Sequence, residues 1–415
     1  MTATVAPSRS LTDADRRFVR RAWAVAAIAV WAVVLVSWHL LPHDPLRLDA
    51  ELRFAGDAVF GPWTSFDGGW YLSIAERGYS FVSLDAQANV AFFPAYPLTM
   101  RWVGWLLGGH PLVAGVLITL VAGAGAVGLF ARWCAERLGS PAVRWAVVAL
   151  VAYPYAWYLF GATYADALFL LAALGAFTLL ERGHPVWAGL VGAVATATRP
   201  VGLALVVGLV VLAVARRGGL SGGVRASVRR LRPADAGVLL SVGGLAGWMA
   251  YQWSTFGDPL LFSRIQAAWG QESSVRTWLK FDLFDRLRAV PCHTHGWLTG
   301  EATTCGTSQG SDLLYTLGIV LQGGLLVAGL VAIPWVVRRF GVAYGVYVGL
   351  VLAPALLGSQ DFQGAGRYLL AAFPVFALAG AILADRPTLR RVAVPISIVL
   401  AVVLTSFYAR VYYVA

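Results

Sequence analysis

Stretches of about 18 or more apolar residues recur along nearly the whole sequence, and each is long enough to cross a bilayer as a helix. The runs are continuous, not alternating, which excludes a transmembrane β-barrel. Only 13% of the 415 residues are charged and 59% are hydrophobic, whereas soluble domains carry about a quarter charged residues. The mean hydropathy is +0.69. These features define an all-α polytopic integral membrane protein. The first run, residues 22–41, has no small-residue cleavage signature and exceeds a signal-peptide core, so it reads as an uncleaved signal anchor.

The formal net charge of +11 does not indicate nucleic-acid binding. The arginines stand in short loops beside apolar runs, as the positive-inside rule expects. Basic clusters at Arg16, Arg17, Arg20 and Arg21, at 216–232, at Arg338 and Arg339, and at Arg386, Arg390 and Arg391 are expected in the cytoplasm. Spans near 22–41, 235–256, 312–337, 342–358, 367–384 and 392–411 then follow. Segments 42–110, 257–311 and 359–366 are expected outside. Lys280 is the only lysine, a bias of composition that fits a GC-rich bacterial genome such as an actinobacterial one.

The middle of the chain needs one choice. If each apolar segment between 91 and 215 crossed once, Arg132, Arg137 and Arg144 would fall outside. They fall inside, with Arg182, if 94–107 lies in the interface and the 185–215 run is two short helices broken at "TRP". Two prolines, an arginine and two tryptophans in 94–107 suit an interfacial helix. Pro200 supplies the break. About eleven spans result under this charge assignment. The polar stretches "FDGG", "YPYAWYLFGATYAD", "TATRPVG", "FGDPLLFSRIQ" and "SQDFQGAGRY" then share the outer face. Polar groups at membrane depth are costly and tend to be functional, so their convergence predicts a site.

Loop 42–110 is expected to hold two short interfacial helices. The first runs from Asp67 to Arg77 and stops at Gly78, a good terminating residue. Loop 257–311 contains Cys292 and Cys305, which in an oxidising compartment are expected to form a disulfide. A metal site with His293 and His295 is the alternative, at a spacing that matches no established zinc pattern. Cys134 is expected to stay a thiol.

Asp67 has two readings. It can cap a helix N-terminus, or it can act as a general base, with Gly68 and Gly69 letting a substrate approach closely. Tyr164 and Asp166 are expected to cap the helix beginning near 163. Trp70, Tyr71 and Ile74 read as an interfacial anchor and "AFFPAYP" as rigid packing. Arg199, Arg264 and Arg367 oppose the charge bias of an outer face. They either snorkel to headgroups or bind an anion such as a lipid phosphate, whose oxygens match guanidinium forks. No P-loop and no dinucleotide fingerprint is present.

"FDGGWYLSIAERGY" followed by "AFFPAYPLTMR" resembles the signature of the PIG-V-like mannosyltransferases, a family with the GT-C fold. Asp67, Tyr71, Ile74, Ala75, Gly78 and Tyr79 match that pattern, while Phe66 stands where tryptophan is usual. The segment containing Tyr164 and Asp166 is similar to a later family position where glutamate is commoner, and "TATRP" and "GRYLLAAFP" also resemble family positions. The resemblance covers most of residues 60–380. It implies a GT-C domain over 22–384, between a cytoplasmic segment 1–21 and a final loop and helix 385–415. It further implies an inverting transfer of mannose from a polyprenyl-phosphate donor to a lipid or glycan acceptor; with arginines to balance the phosphate, no metal is expected. The expected location is the extracytoplasmic face of a bacterial plasma membrane, with no cofactor. Asp67 takes the catalytic role, Arg367, Arg199 and Arg264 the donor phosphate, and Tyr71, Tyr164, Asp166, Gly68 and Gly69 the substrate pocket. A flippase for a lipid-linked sugar and a non-catalytic relative are the competing readings.

Overall fold

The computed structural model describes residues 10–44, 57–217, 228–271, 274–299, 313–359 and 361–414. It is all-helical over these residues. The main helices are α1 (Asp13–Leu40), α2 (Asp67–Arg77), α3 (Ala95–Leu106), α4 (Pro111–Ala135), α5 (Ser140–Val151), α6 (Asp166–Glu181), α7 (Pro185–Thr196), α8 (Gly202–Arg216), α9 (Gly243–Phe256), α10 (Phe281–Thr299), α11 (Leu313–Phe340), α12 (Val342–Leu357), α13 (Ala365–Ala371), α14 (Phe373–Asp385) and α15 (Pro387–Ala409).

Four described helices (α1, α4, α11 and α15) are long and apolar enough to cross a membrane singly, or five spans if the bent pair α13–α14 counts as one. The six other expected crossings fall on shorter elements: the apolar helices α5, α7, α8 and α12, the 16-residue α6, and a 3-10 stretch Pro233–Val242 that runs into α9. Their length is limited by local breakers. Pro200 separates α7 from α8, as the sequence predicts. A second break was not foreseen: α13 and α14 meet at 80° around Ala372. Pro374 lies just inside α14, and Tyr347 donates to the Ala371 carbonyl at 2.9 Å, satisfying an acceptor the break exposes.

The helices pack through small residues. A Cβ on Gly380 of α14 would lie 2.5 Å from the Ala146 Cβ of α5, and one on Gly189 of α7 would lie 2.0 Å from the Gly237 carbonyl oxygen. Such contact without side chains lets backbones approach closely, as in membrane bundles. The core is strongly aromatic, with Trp63, Trp133, Trp157, Tyr96, Tyr158, Tyr164, Tyr347 and Tyr408 fully buried.

The bundle has two chemically distinct ends. At one, Arg144 and Ser140 reach Asp15 at 2.8 and 2.7 Å, joining the starts of α1 and α5. There too Arg137 pairs with Glu181, and Arg182 lies 3.5 Å from Glu136. Asp166 opens α6 and Glu181 closes it, so the opposite end holds Asp166 and its neighbours. The sequence reading placed these two sets of residues at opposite ends in the same way.

Candidate active site

The short helix α2 carries the first residue of the site. Ser65–Gly68 forms a tight turn in which the Gly68 N–H donates to the Ser65 carbonyl at 3.3 Å. Phe66 at its second position has φ 59° and ψ −122°, the II′ geometry that favours glycine. Its ring is held by Tyr413 at 5.0 Å and Tyr408 at 6.2 Å between centroids. The turn delivers Asp67 as the first residue of α2, which then runs to Arg77 and stops at Gly78 as expected.

The side chain of Asp67 does not cap α2; no side-chain cap exists there. Instead its Oδ2 accepts from Arg367 Nη1 at 2.6 Å. The Asp67 N–H donates to the Tyr164 hydroxyl at 3.1 Å, and that hydroxyl donates to the Ser65 carbonyl at 2.9 Å. Below, the Trp63 carbonyl accepts from Thr163 Oγ1 at 3.0 Å and from Tyr408 at 2.9 Å. The turn is thus sewn to both the α6 entry and α15.

Asp166 does not act as a cap either. It is the first residue of α6, which has no side-chain cap. It pairs with Arg199 in the break between α7 and α8; their side chains are 4% and 7% exposed. Burial this deep is costly for a lone charge and tolerable for a matched pair. Arg199 therefore does not snorkel to headgroups. Its guanidinium lies 5.2 Å from the Tyr368 ring.

Arg367 sits on α13, just before the bend. Tyr153 donates to the Gly366 carbonyl at 2.9 Å, and Gln322 accepts from the Gly366 N–H at 3.2 Å, which fixes the helix start. The guanidinium lies 5.4 Å from the Tyr164 ring and 5.9 Å from that of Tyr158. Its Nε is buried without a hydrogen-bond partner among the described residues. With 21% of its side chain exposed, against 28% for Asp67, the pair is the accessible member of two.

Tyr71 joins them from the next turn of α2. It is buried, with ring contacts to Tyr96, Phe92 and Tyr164, so it is packing rather than an interfacial anchor. Burial holds its hydroxyl above the usual phenol range. The charges of Arg367 and Arg199 oppose that shift, and those of Asp67 and Asp166 add to it. Gly68 is also explained differently. A Cβ there would lie 2.6 Å from Thr163 Oγ1, so the glycine makes room for the scaffold, not for a substrate. Gly69 is buried in the same turn.

Arg264 lies apart. It pairs with Asp258 at 2.8 Å within its own turn, and its side chain is 61% exposed. Cys305 and the pairing proposed for it lie outside the described residues, as does the His293 side chain of the alternative metal set. No group of three or more metal-ligating side chains occurs among the described residues.

The sequence reading missed a second polar cluster, built around Asp361 just before α13. Lys280, 7% exposed, donates to the Ser359 carbonyl at 2.5 Å and the Asp361 carbonyl at 3.2 Å. Tyr315 donates to Asp361 Oδ2 at 3.3 Å, and Arg286 lies 3.6 Å from the same oxygen. Burial draws the Lys280 ammonium below the ordinary lysine value, against the opposing charge of Asp361. The signal was present: a sequence that uses arginine everywhere keeps one lysine, and a compact ammonium suits helix-end carbonyls.

Fold and site together define an all-α, multi-pass membrane protein with two matched ion pairs at one end of the bundle. No family model and no curated protein matches the chain. Solved structures do. The oligosaccharyltransferase of Archaeoglobus fulgidus, complexed with zinc and sulfate, is similar at 14% identity and a TM-score of 0.44, over 95% of this chain and 53% of that one. AglB from the same organism, in complex with an inhibitory peptide and a dolichol-phosphate, is similar at 13% identity and a TM-score of 0.45, over 97% and 57%. ArnT from Cupriavidus metallidurans, bound to undecaprenyl phosphate, is similar at 18% identity and a TM-score of 0.37, over 94% and 75%. The chain spans just over half the length of the archaeal proteins. At these scores the likeness carries no argument about activity or residue roles.

Proposed function

We propose that this protein is an inverting glycosyltransferase of the GT-C type, acting on the extracytoplasmic face on a polyprenyl-phosphate-linked sugar. The observation that supports it is the Asp67–Arg367 pair, part-exposed at the end of the bundle away from the arginine clusters. The motif resemblance at 65–101 supports the same reading and suggests mannose as the sugar.

In this reading Asp67 takes the proton of an acceptor hydroxyl as that oxygen attacks C1 of the donor sugar from the face opposite the leaving group. The bond between C1 and the phosphate oxygen breaks, and polyprenyl phosphate departs with the electron pair. Arg367 offers its remaining N–H donors to the phosphate, where negative charge grows. Asp166 and Arg199 stay paired with each other, more deeply buried. A phosphate leaves without a second carboxylic acid, so paired carboxylates are not needed. The reaction so written uses no metal and no cofactor.

Reconstituted protein with radiolabelled polyprenyl-phosphate mannose and an envelope-lipid extract tests this. Asp67→Asn is expected to reduce transfer by about 10²-fold or more, the usual contribution of a positioned base. Near-normal transfer by the folded variant removes Asp67 from the chemistry. The two broken helices favour a second reading, since broken helices line substrate sites in transporters. Sugar moved across the bilayer without transfer would establish that one.

A further inference from the structure

We infer that the end of the bundle opposite the ion pairs holds a binding site for the headgroup of an anionic phospholipid. This site is separate from the reading above. A cavity of about 720 Å³ opens between the start of α1 and the end of α4. Ligand sites of ordinary size run from about 300 to 1,000 Å³. Arg16, Arg17 and Arg20 line one wall and Arg132 the other, with Asp13 and Glu136 as the acidic residues.

Arginines on the helices around this cavity divide between paired and unpaired ones. Arg137 is paired with Glu181, Arg144 with Asp15 and Arg217 with Asp235. Glu136 is engaged three ways, with Arg132 at 3.9 Å, Arg137 at 3.5 Å and Arg182 at 3.5 Å. Arg16, Arg17 and Arg20 form no ion pair among the described residues. Three guanidinia outside any ion pair therefore line a concave space whose far wall adds Arg132, itself 3.9 Å from Glu136. Gly115, near the start of α4, packs on Thr163 of the active site. Arg132 lies about 25 Å further along the same helix at 1.5 Å per residue.

Guanidinium forks match phosphate oxygens in pairs. Basic pockets between membrane helices on the cytoplasmic side suit phospholipid headgroups. Four guanidinia exceed what one phosphate needs, so a headgroup with two phosphates fits better than one with a single phosphate. Positive-inside placement puts this end in the cytoplasmic leaflet, where such a lipid is within reach.

Native mass spectrometry of the purified full chain with added cardiolipin, phosphatidylglycerol, phosphatidylcholine or inorganic pyrophosphate tests the assignment. Cardiolipin is expected to be retained best and phosphatidylcholine least. Arg132→Gln is expected to weaken cardiolipin about 5-fold, and the triple change of Arg16, Arg17 and Arg20 to Gln about 100-fold, from the usual effect per surface arginine. Arg338→Gln with Arg339→Gln, outside the cavity, is expected to change nothing. Where the triple variant does not fold, Arg132→Gln carries the test alone. Retention unchanged in the pocket variants, equal loss in the Arg338/Arg339 control, or pyrophosphate bound while lipid is not, each overturns the proposal.

Discussion

Asp67 and Arg367, 300 positions apart in the chain, meet at 2.6 Å at the mouth of the bundle. The contact joins the turn before α2 to a helix that breaks shortly after it. Neither element could place its charge without the other. Asp166 and Arg199 repeat the arrangement one layer deeper, again with a carboxylate at a helix start and an arginine at a break.

The deeper pair is expected to behave as a unit. Asp166→Asn or Arg199→Met alone leaves a buried charge uncompensated and is expected to cost about 3–5 kcal/mol. The double variant is expected to cost clearly less than the sum of the two. Thermal unfolding of the four proteins in one detergent measures the coupling, and simple additivity would contradict the pairing.

Gly68 tests how tightly the turn must hold Asp67. A methyl group there meets Thr163 Oγ1 at 2.6 Å, so Gly68→Ala must shift the first turn of α2. A displacement of about 1 Å costs roughly 10²-fold in rate when it moves a reacting group. Sugar transfer is expected to fall by that order while the protein stays folded. Combining it with Thr163→Ala is expected to restore part of the activity.

Phe66 reverses a common expectation about glycine. At φ 59° an L-residue is strained, by about 1–3 kcal/mol. Phe66→Ala keeps the strain and loses the ring contacts, whereas Phe66→Gly loses the contacts and relieves the strain. The glycine variant is therefore expected to melt higher than the alanine variant. The opposite order would show that the turn does not adopt this geometry.

Lys280 gives a pH signature. Its pKa in the folded protein lies below the ordinary value of 10.5. Between the two values the unfolded chain binds the extra proton, so stability rises with pH across that window. Lys280→Met removes the titrating group and is expected to flatten the rise. Melting temperatures of both proteins measured across the approach to pH 10.5 decide it.

The helical class, the break at Pro200, the α2 boundaries and the arrangement of the two ends were all legible. They depend on composition, periodicity, proline and charge bias, which are local properties. Asp67, Asp166, Arg199 and Arg367 stood out because each is polar where polarity is expensive. What they do was not legible. A capping aspartate and a salt-bridged one look the same in sequence, and only the fold shows that both aspartates turn to arginines instead. Arg264 shows the converse: the sequence groups it with the others, and it spends its charge on Asp258 six residues away. The bend at Ala372 left no clear sequence signal, because Pro374 is acceptable in a first helical turn. Lys280 was noticed and read only as composition, since its partners are carbonyls, which sequence does not display.

The first helix packs along the last: α1 runs beside α15, Ser37 bonds Ser406 at 2.8 Å, and the Asp44 N–H donates to the Arg410 carbonyl at 3.0 Å. A ribosome adding about 5–20 residues per second needs roughly 20 to 70 seconds to pass from one to the other. Throughout that interval α1 lacks the partner it packs on in the finished bundle. The contact between α1 and α15 therefore forms late, and a nascent chain stalled before α15 would leave bare the flank of α1 that α15 covers.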